Sequence, residues 1–208
     1  MPDINAEELL RKAWGEFCGD YDKKVREYSK SEFVRSREQA KDEHWILWNE
    51  HDLMVQFGRF FYEQLAKNSL SGIEMHIDIK LKYSSFKGYK FRPRLKDLRK
   101  ELGKVPEVDL IIAQEDSPEK FLLCAEAKCF HYSGDRYERT AKGDIEKDLK
   151  RLVTIRDLEI SESVIFILFD DYYWIQNEDI ESMAEKACKE HNITLLKHNS
   201  KAKLERWK

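Results

Sequence analysis

Two apolar runs joined by one polar loop constrain this chain more than any other feature: EVDLIIA at 107–113 and KFLLCAEAK at 120–128. Runs of this length and composition form strands buried on both faces, so helices must lie above and below the sheet that holds them. Yet each run carries charge toward its outer end, Asp109 in the first and Glu126 and Lys128 in the second, where a buried strand rarely tolerates it.

Residues two apart on a strand share a face, which sets Glu126 and Lys128 side by side, about 7 Å apart along the strand. A turn centred between Ser117 and Pro118 would place Asp109 directly opposite Glu126. Opposed carboxylates repel, and in a poorly solvated site one keeps its proton unless a cation neutralises both. A divalent ion with oxygen ligands resolves the conflict. Mg²⁺, with Mn²⁺ as a substitute, binds through one or two carboxylates and keeps several waters. Lys128 beside it would hold or polarise an attacking water and balance charge in a transition state.

The tripeptide alone carries little, because acid-x-Lys occurs four times: DKK at 22, DIK at 78, EAK at 126 and DLK at 148. The copies at 22 and 148 fall in helical sequence, where residues two apart do not share a face. The copy at 78 lies on a strand with no earlier strand to bear a matched acid. Only Glu126 and Lys128 end a buried strand that mirrors an acid on its hairpin partner.

Around this hairpin the periodicity is regular. Residues 5–41 are helical in character, with Leu9, Leu10, Ala13, Trp14 and Phe17 at helix spacing, and a long helix is expected from Glu43 to Lys67. GIEMHIDIKLKY (72–83) alternates Ile73, Met75, Ile77, Ile79 and Leu81 against polar residues, the period of a half-buried strand. Then come a basic aromatic stretch to Lys104 with a short helix after Pro93, the two buried runs, a polar loop and a helix from Asp144 to Leu158. SVIFILFD (strand), NEDIESMAEKACKE (helix) and ITLLKH (strand) complete the chain. The expectation is an α/β fold with a central mixed β-sheet flanked by helices: an N-terminal helical addition over 1–42 and one domain over 43–208.

On the long helix Glu50 has Ile46 and Leu47 behind it and Leu53 and Met54 ahead, so it falls within the apolar stripe; Glu63, between Arg59 and Lys67, reads instead as a solvated ion-pair member. PEVDLII followed by FLLCAEAK and a helix resembles the PD-(D/E)xK nuclease superfamily, whose restriction-endonuclease-like core would span about Glu43 to Phe169. The resemblance implies that Asp109 and Glu126 are metal ligands, that Lys128 is the catalytic lysine, and that Glu50 is the acid of the first core helix. It also implies an auxiliary polar residue on the helix after the motif, with Lys147 or Lys150 available. The sequence departs from the pattern at the proline, since Pro106 precedes Glu107 and the aspartate comes two residues later; Glu107 shares a face with Asp109 and is the weaker candidate for its role.

Ten Lys and Arg fall between Lys80 and Lys104, opposed by Asp97 and Glu101 alone, with Tyr83, Phe86, Tyr89 and Phe91 interleaved. That composition suits backbone neutralisation with base or sugar contacts, which makes Lys87, Lys90, Arg92 and Arg94, with Arg136 and Arg139 after the motif, candidate nucleic-acid contacts. The formal net charge of -3 excludes a generally basic binder but not a basic patch. Four cysteines without a CxxC read as reduced thiols, and the acidic N-terminal segment as neither signal nor anchor, so a cytoplasmic protein with no membrane partner is expected. Together these point to a Mg²⁺-dependent nuclease, an endonuclease acting on DNA rather than RNA through metal-activated water, with a homodimer left open. The rival is a non-catalytic nucleic-acid-binding or interaction protein that keeps the same fold.

Overall fold

The computed structural model describes residues 5–28, 47, 50–115, 119–130, 135–170 and 178–199; for Val25, Arg26, Tyr28, Phe130, 135–140, Asp170, Glu178, Asp179 and Asn199 it describes the backbone alone. Helices α1 (Ala6–Tyr28) and α2 (Glu50–Lys67) precede strand β1 (Ile73–Lys80). Helix α3 (Arg94–Leu102) follows, then β2 (Glu107–Gln114) and β3 (Phe121–Phe130). Helix α4 (Asp135–Asp157), β4 (Ser161–Asp170), α5 (Glu178–Glu190) and β5 (Thr194–Asn199) complete the order. The five strands lie side by side in chain order. β1, β2 and β3 are antiparallel neighbours, whereas β4 and β5 join in parallel through the crossovers that α4 and α5 supply.

The expected mixed sheet flanked by helices is therefore present. Its two faces bury separate cores. Leu110, Ile112, Ala125 and Ile165 pack with α1 and α2, while Ile111, Ala113, Cys124 and Phe166 pack with α3, α4 and α5. Helix α1 is integral to the first core. Trp14 meets Phe57 edge-on at 5.4 Å between ring centroids, Phe17 lies 5.7 Å from Phe169, and Tyr21 meets the same Phe169 edge-on at 4.8 Å. On the other face Phe86 and Phe91 close around Phe121, at 5.6 and 4.7 Å, so two of the aromatics expected to contact bases are structural.

Two elements differ from the periodicity. The helix after the hairpin begins at Asp135 rather than Asp144, because Gly143 is carried inside it and does not mark a loop. A single glycine costs a helix only about 1 kcal/mol, which the apolar face of Ala141, Ile145, Leu149 and Leu152 offsets. In β1 the alternation does not run through. Ile73, Met75 and Ile77 face the first core, but Ile79 and Leu81 face the second. The switch falls at Asp78, whose φ of 53° is left-handed. The ladder pairs Ile77 with Leu110 and Ile79 with Val108, so Asp78 stands opposite Asp109, and there β2 also changes face: Leu110 belongs to the first core and Val108 to the second.

β1 is an edge strand, and the Tyr62 hydroxyl of α2 covers part of it, accepting from Met75 N at 3.1 Å and donating to Met75 O at 3.3 Å. The segments 29–46, 48–49, 116–118 and 131–134 lie outside the described residues, and with them the expected start of the long helix, the hairpin tip and His131.

Two stability measurements test this architecture. Phe17→Ala should cost about 3–5 kcal/mol, the usual penalty for an emptied aromatic site, and should lower a single cooperative transition. A separate early melt of α1 with the main transition unmoved would contradict a shared core. At Asp78 both replacements lose the charge, so their difference isolates the backbone. Asp78→Val should unfold at lower urea than Asp78→Gly by the equivalent of about 1–2 kcal/mol, and equal midpoints would remove the left-handed requirement.

Candidate active site

The hairpin register is the one the turn position predicted. Leu110 pairs with Ala125, Ile111 with Cys124 and Ile112 with Leu123, and continuing that register sets Asp109 opposite Glu126. At this point the backbone ladder gives way to a side chain: Ala127 N donates to Asp109 Oδ2 at 2.8 Å. The aspartate thus stands in for a strand carbonyl where β3 leaves β2 and continues beside β4, whose pairing runs on to Phe130.

Glu126 and Lys128 project from the same face of β3, toward α4. Glu126 is fully buried, and its Oε2 is held by Arg151 Nη1, while Oε1 has no hydrogen-bond partner among the described residues. Arg151 Nη2 reaches Asp148 Oδ1 at 3.1 Å, and Asp148 Oδ2 lies 3.0 Å from Lys128 Nζ. Lys128 Nζ also lies 3.4 Å from Glu50 Oε1 and donates to Ala127 O at 3.0 Å. Glu50 Oε2 accepts from Cys129 N at 3.1 Å, which pins the first turn of α2 to the end of β3. Four carboxylates from α2, β2, β3 and α4 therefore surround two cations.

Burial dominates the electrostatics. It pushes the Glu126 carboxyl well above its ordinary range, and the negative Asp109 adds to the effect against the opposing pull of Arg151. Burial raises Glu50 and Asp148 as well, although Lys128 works in the other direction on both. For Lys128 burial acts against the charge, but Glu50, Asp148 and Asp109 outweigh it and the ammonium titrates above its usual range. Lys128 is a cation at any working pH.

Beside this cluster His51 of α2 pairs with Asp78, whose carboxyl is raised by burial and by the nearby Asp109 and Glu107. Glu107 itself is exposed and pairs with Lys80 at 3.6 Å. The site thus gathers the acids of three of the four acid-x-Lys copies: 78, 126 and 148. Asp148 and Arg151 are the residues the sequence argument passed over. They sit one helical turn apart on the apolar face of α4, between Ile145, Leu149 and Leu152, and a charge at such a position was the available signal. The structure does not bring the two lysines proposed as auxiliaries to the cluster. Lys147 is exposed and pairs with Asp144 at 2.9 Å, and Lys150 is exposed on the same solvent side.

Of the nucleic-acid candidates, three are engaged within the protein. Lys90 pairs with Glu119; Arg92 Nε donates to Tyr83 O at 2.9 Å; Arg94 donates to the carbonyls of Leu158 and Glu159 at 3.1 and 2.9 Å and pairs with the Glu159 carboxylate. Lys87 is exposed, with no ion-pair partner among the described residues. Arg136 and Arg139 fall in the first turns of α4, where only the backbone is described. Glu63 is the exposed ion-pair member expected, 3.8 Å from Arg59.

The raised Glu126 carboxyl has a consequence for stability. A carboxyl higher in the folded than in the unfolded state contributes fully below the ordinary carboxylate range and loses that contribution as pH rises toward the folded value. Taken from about pH 4.5 to pH 8, metal-free wild type should lose urea resistance relative to Glu126→Gln, which has no proton to lose. A gap between the two that does not change with pH would show that Glu126 is already ionised in the fold.

Among the described residues no three His, Cys, Asp or Glu side chains are grouped as a ready-made metal site, and no helix is long and apolar enough to cross a membrane. Comparison of the chain with protein-family models, with curated proteins and with solved structures finds no match.

Proposed function

We propose that this chain is a divalent-metal-dependent nuclease that hydrolyses phosphodiester bonds, with DNA as the preferred substrate. One observation carries the reading. Among the described residues, the ion pairs of Glu50, Glu126 and Asp148 are with Lys128 and Arg151 while Asp109 accepts from Ala127 N, so these four carboxylates and two cations carry a formal surplus of two negative charges in a largely buried site. A surplus of that size in poor solvent calls for a divalent cation or for protons.

The residues fit such an ion in number and chemistry. Asp109 and Glu126 are the pair that would hold it, and Glu126 Oε1 is a buried acceptor without a donor among the described residues. Arg151 on the other Glu126 oxygen competes with the ion for the same carboxylate, which argues for modest affinity in the absence of substrate. When bound, Mg²⁺ would activate water and neutralise phosphate charge. The remaining work falls to the chain. Lys128, held between Glu50 and Asp148, presents a permanent positive charge to a phosphate whose negative charge grows during attack. Arg151 offers the planar fork that suits phosphate oxygens. Asp148 acts through both, fixing the ammonium and the guanidinium in one arrangement. The resemblance of PEVDLII and CAEAK to the PD-(D/E)xK superfamily supports the same assignment.

A second reading has its own support. The pairing of Arg151 with both Glu126 and Asp148 is also what a non-catalytic relative would use to hold the sheet end together.

The two are separated by incubating the protein with single-stranded, duplex and branched DNA and with RNA, each with Mg²⁺, Mn²⁺ or EDTA. Cleavage should require the metal. Lys128→Ala should abolish it, Asp148→Asn should lower it by roughly 10–100-fold as a residue acting through its neighbours, and Lys147→Ala with Lys150→Ala should leave it unchanged. Calorimetry should show weaker Mn²⁺ binding in Asp109→Asn and Glu126→Gln. Wild-type rates in Lys128→Ala, or unchanged Mn²⁺ affinity in both carboxylate variants, would overturn the assignment.

A further inference from the structure

Where the chain leaves β1 an open groove of about 440 Å³ lies between residues 81–84 and helix α3. Its walls differ in kind from the acidic cluster. Val105, half-buried, forms an aliphatic floor over Leu81 and Leu95, which are themselves only 1 and 2% exposed, and Lys82, Lys96 and Arg99 stand around it. Lys82 and Arg99 have no carboxylate partner among the described residues, in contrast to the engaged Lys90 and Arg94. The half-exposed Tyr83 ring forms one side and is flanked by cations, with the Arg92 guanidinium 4.0 Å and the Lys96 ammonium 4.6 Å from its centroid.

From this juxtaposition of an aliphatic floor and uncommitted cations we infer that the groove binds one unpaired nucleotide of the substrate strand, the base against Val105 and the phosphate against Lys82 and Arg99. The inference rests on the nuclease reading and adds a substrate class to it. A duplex stacks its base faces away and offers only edges and phosphates, so an aliphatic floor is useful to a splayed-out base alone. Position agrees with this. Lys82 is four residues beyond Asp78, a chain reach of at most about 14 Å, so the groove lies within a few nucleotides of the acidic cluster. The groove therefore holds a flanking nucleotide while the scissile phosphate lies at the acidic cluster, which favours single strands and duplexes with a frayed or flapped end.

The test measures binding apart from cleavage. Fluorescence anisotropy in EDTA would compare a labelled single-stranded DNA with a blunt duplex of the same sequence, for wild type, Lys82→Glu with Arg99→Glu, Val105→Trp, and the distant control Lys186→Glu, each first checked for an unchanged melting curve. The double variant should weaken single-strand binding by about tenfold or more, with a salt slope shallower by about 0.7 for the one phosphate that the two side chains share, and should affect the duplex less. Val105→Trp fills the floor without touching charge and should selectively lower single-strand affinity. Equal losses on both substrates with no effect of Val105→Trp would reduce the groove to general surface charge and overturn the inference, as would unaltered binding in every variant. Single-strand binding that obeys these expectations in a protein that cleaves nothing with any metal would retain the groove and discard the nuclease. A wild type that binds no nucleic acid would discard both.

Discussion

The ammonium of Lys128, enclosed between Glu50 and Asp148, is the interaction on which the site depends. It joins three elements remote in sequence: the first turn of α2, the end of β3 and the middle of α4. Glu50 and Asp148 secure its charge, and it in turn opposes the upward push that burial gives their carboxyls. Removing any one member leaves a buried charge without its counterpart, an imbalance that costs more than the lost contact. The cluster is accordingly a fastening for the two helix layers.

The fold around it explains why the cluster sits where it does. β3 is the strand at which the sheet changes from antiparallel to parallel, with β2 on one side and β4 on the other. Toward its end β3 continues along β4 alone, which leaves Ala127 N to be taken by the Asp109 carboxylate. An acceptor is required there for the backbone, and the Asp109 side chain supplies it.

Much of this was legible in the sequence. The apolar runs and the turn position fixed the hairpin register, and with it the opposition of Asp109 and Glu126. Glu50 stood out because its helix stripe had no room for a solvated acid. Asp148 did not, because its DLK tripeptide was tested for a partner two residues along the same helix when its actual partner, Lys128, comes from another element. Local spacing cannot report a contact made across the fold. Asp78 escaped for a related reason: alternation over 72–83 looks continuous, and only the left-handed residue in its middle reveals that the strand turns its apolar side over. Within the basic stretch, composition cannot see that Arg92 Nε and Arg94 Nη1 donate to backbone carbonyls of the protein itself.

The Tyr62 hydroxyl on Met75, taken with the left-handed residue three positions on, bears on self-association. An edge strand offers a row of free amides and carbonyls to any extended chain that approaches it. Here the two groups of Met75 are already satisfied by a phenol, and at Asp78 the strand loses the flat pleat that a visiting strand would need. β1 is thereby a poor template for sheet extension from Met75 to Asp78. Strand addition to this sheet has its other opening at β5, the opposite edge.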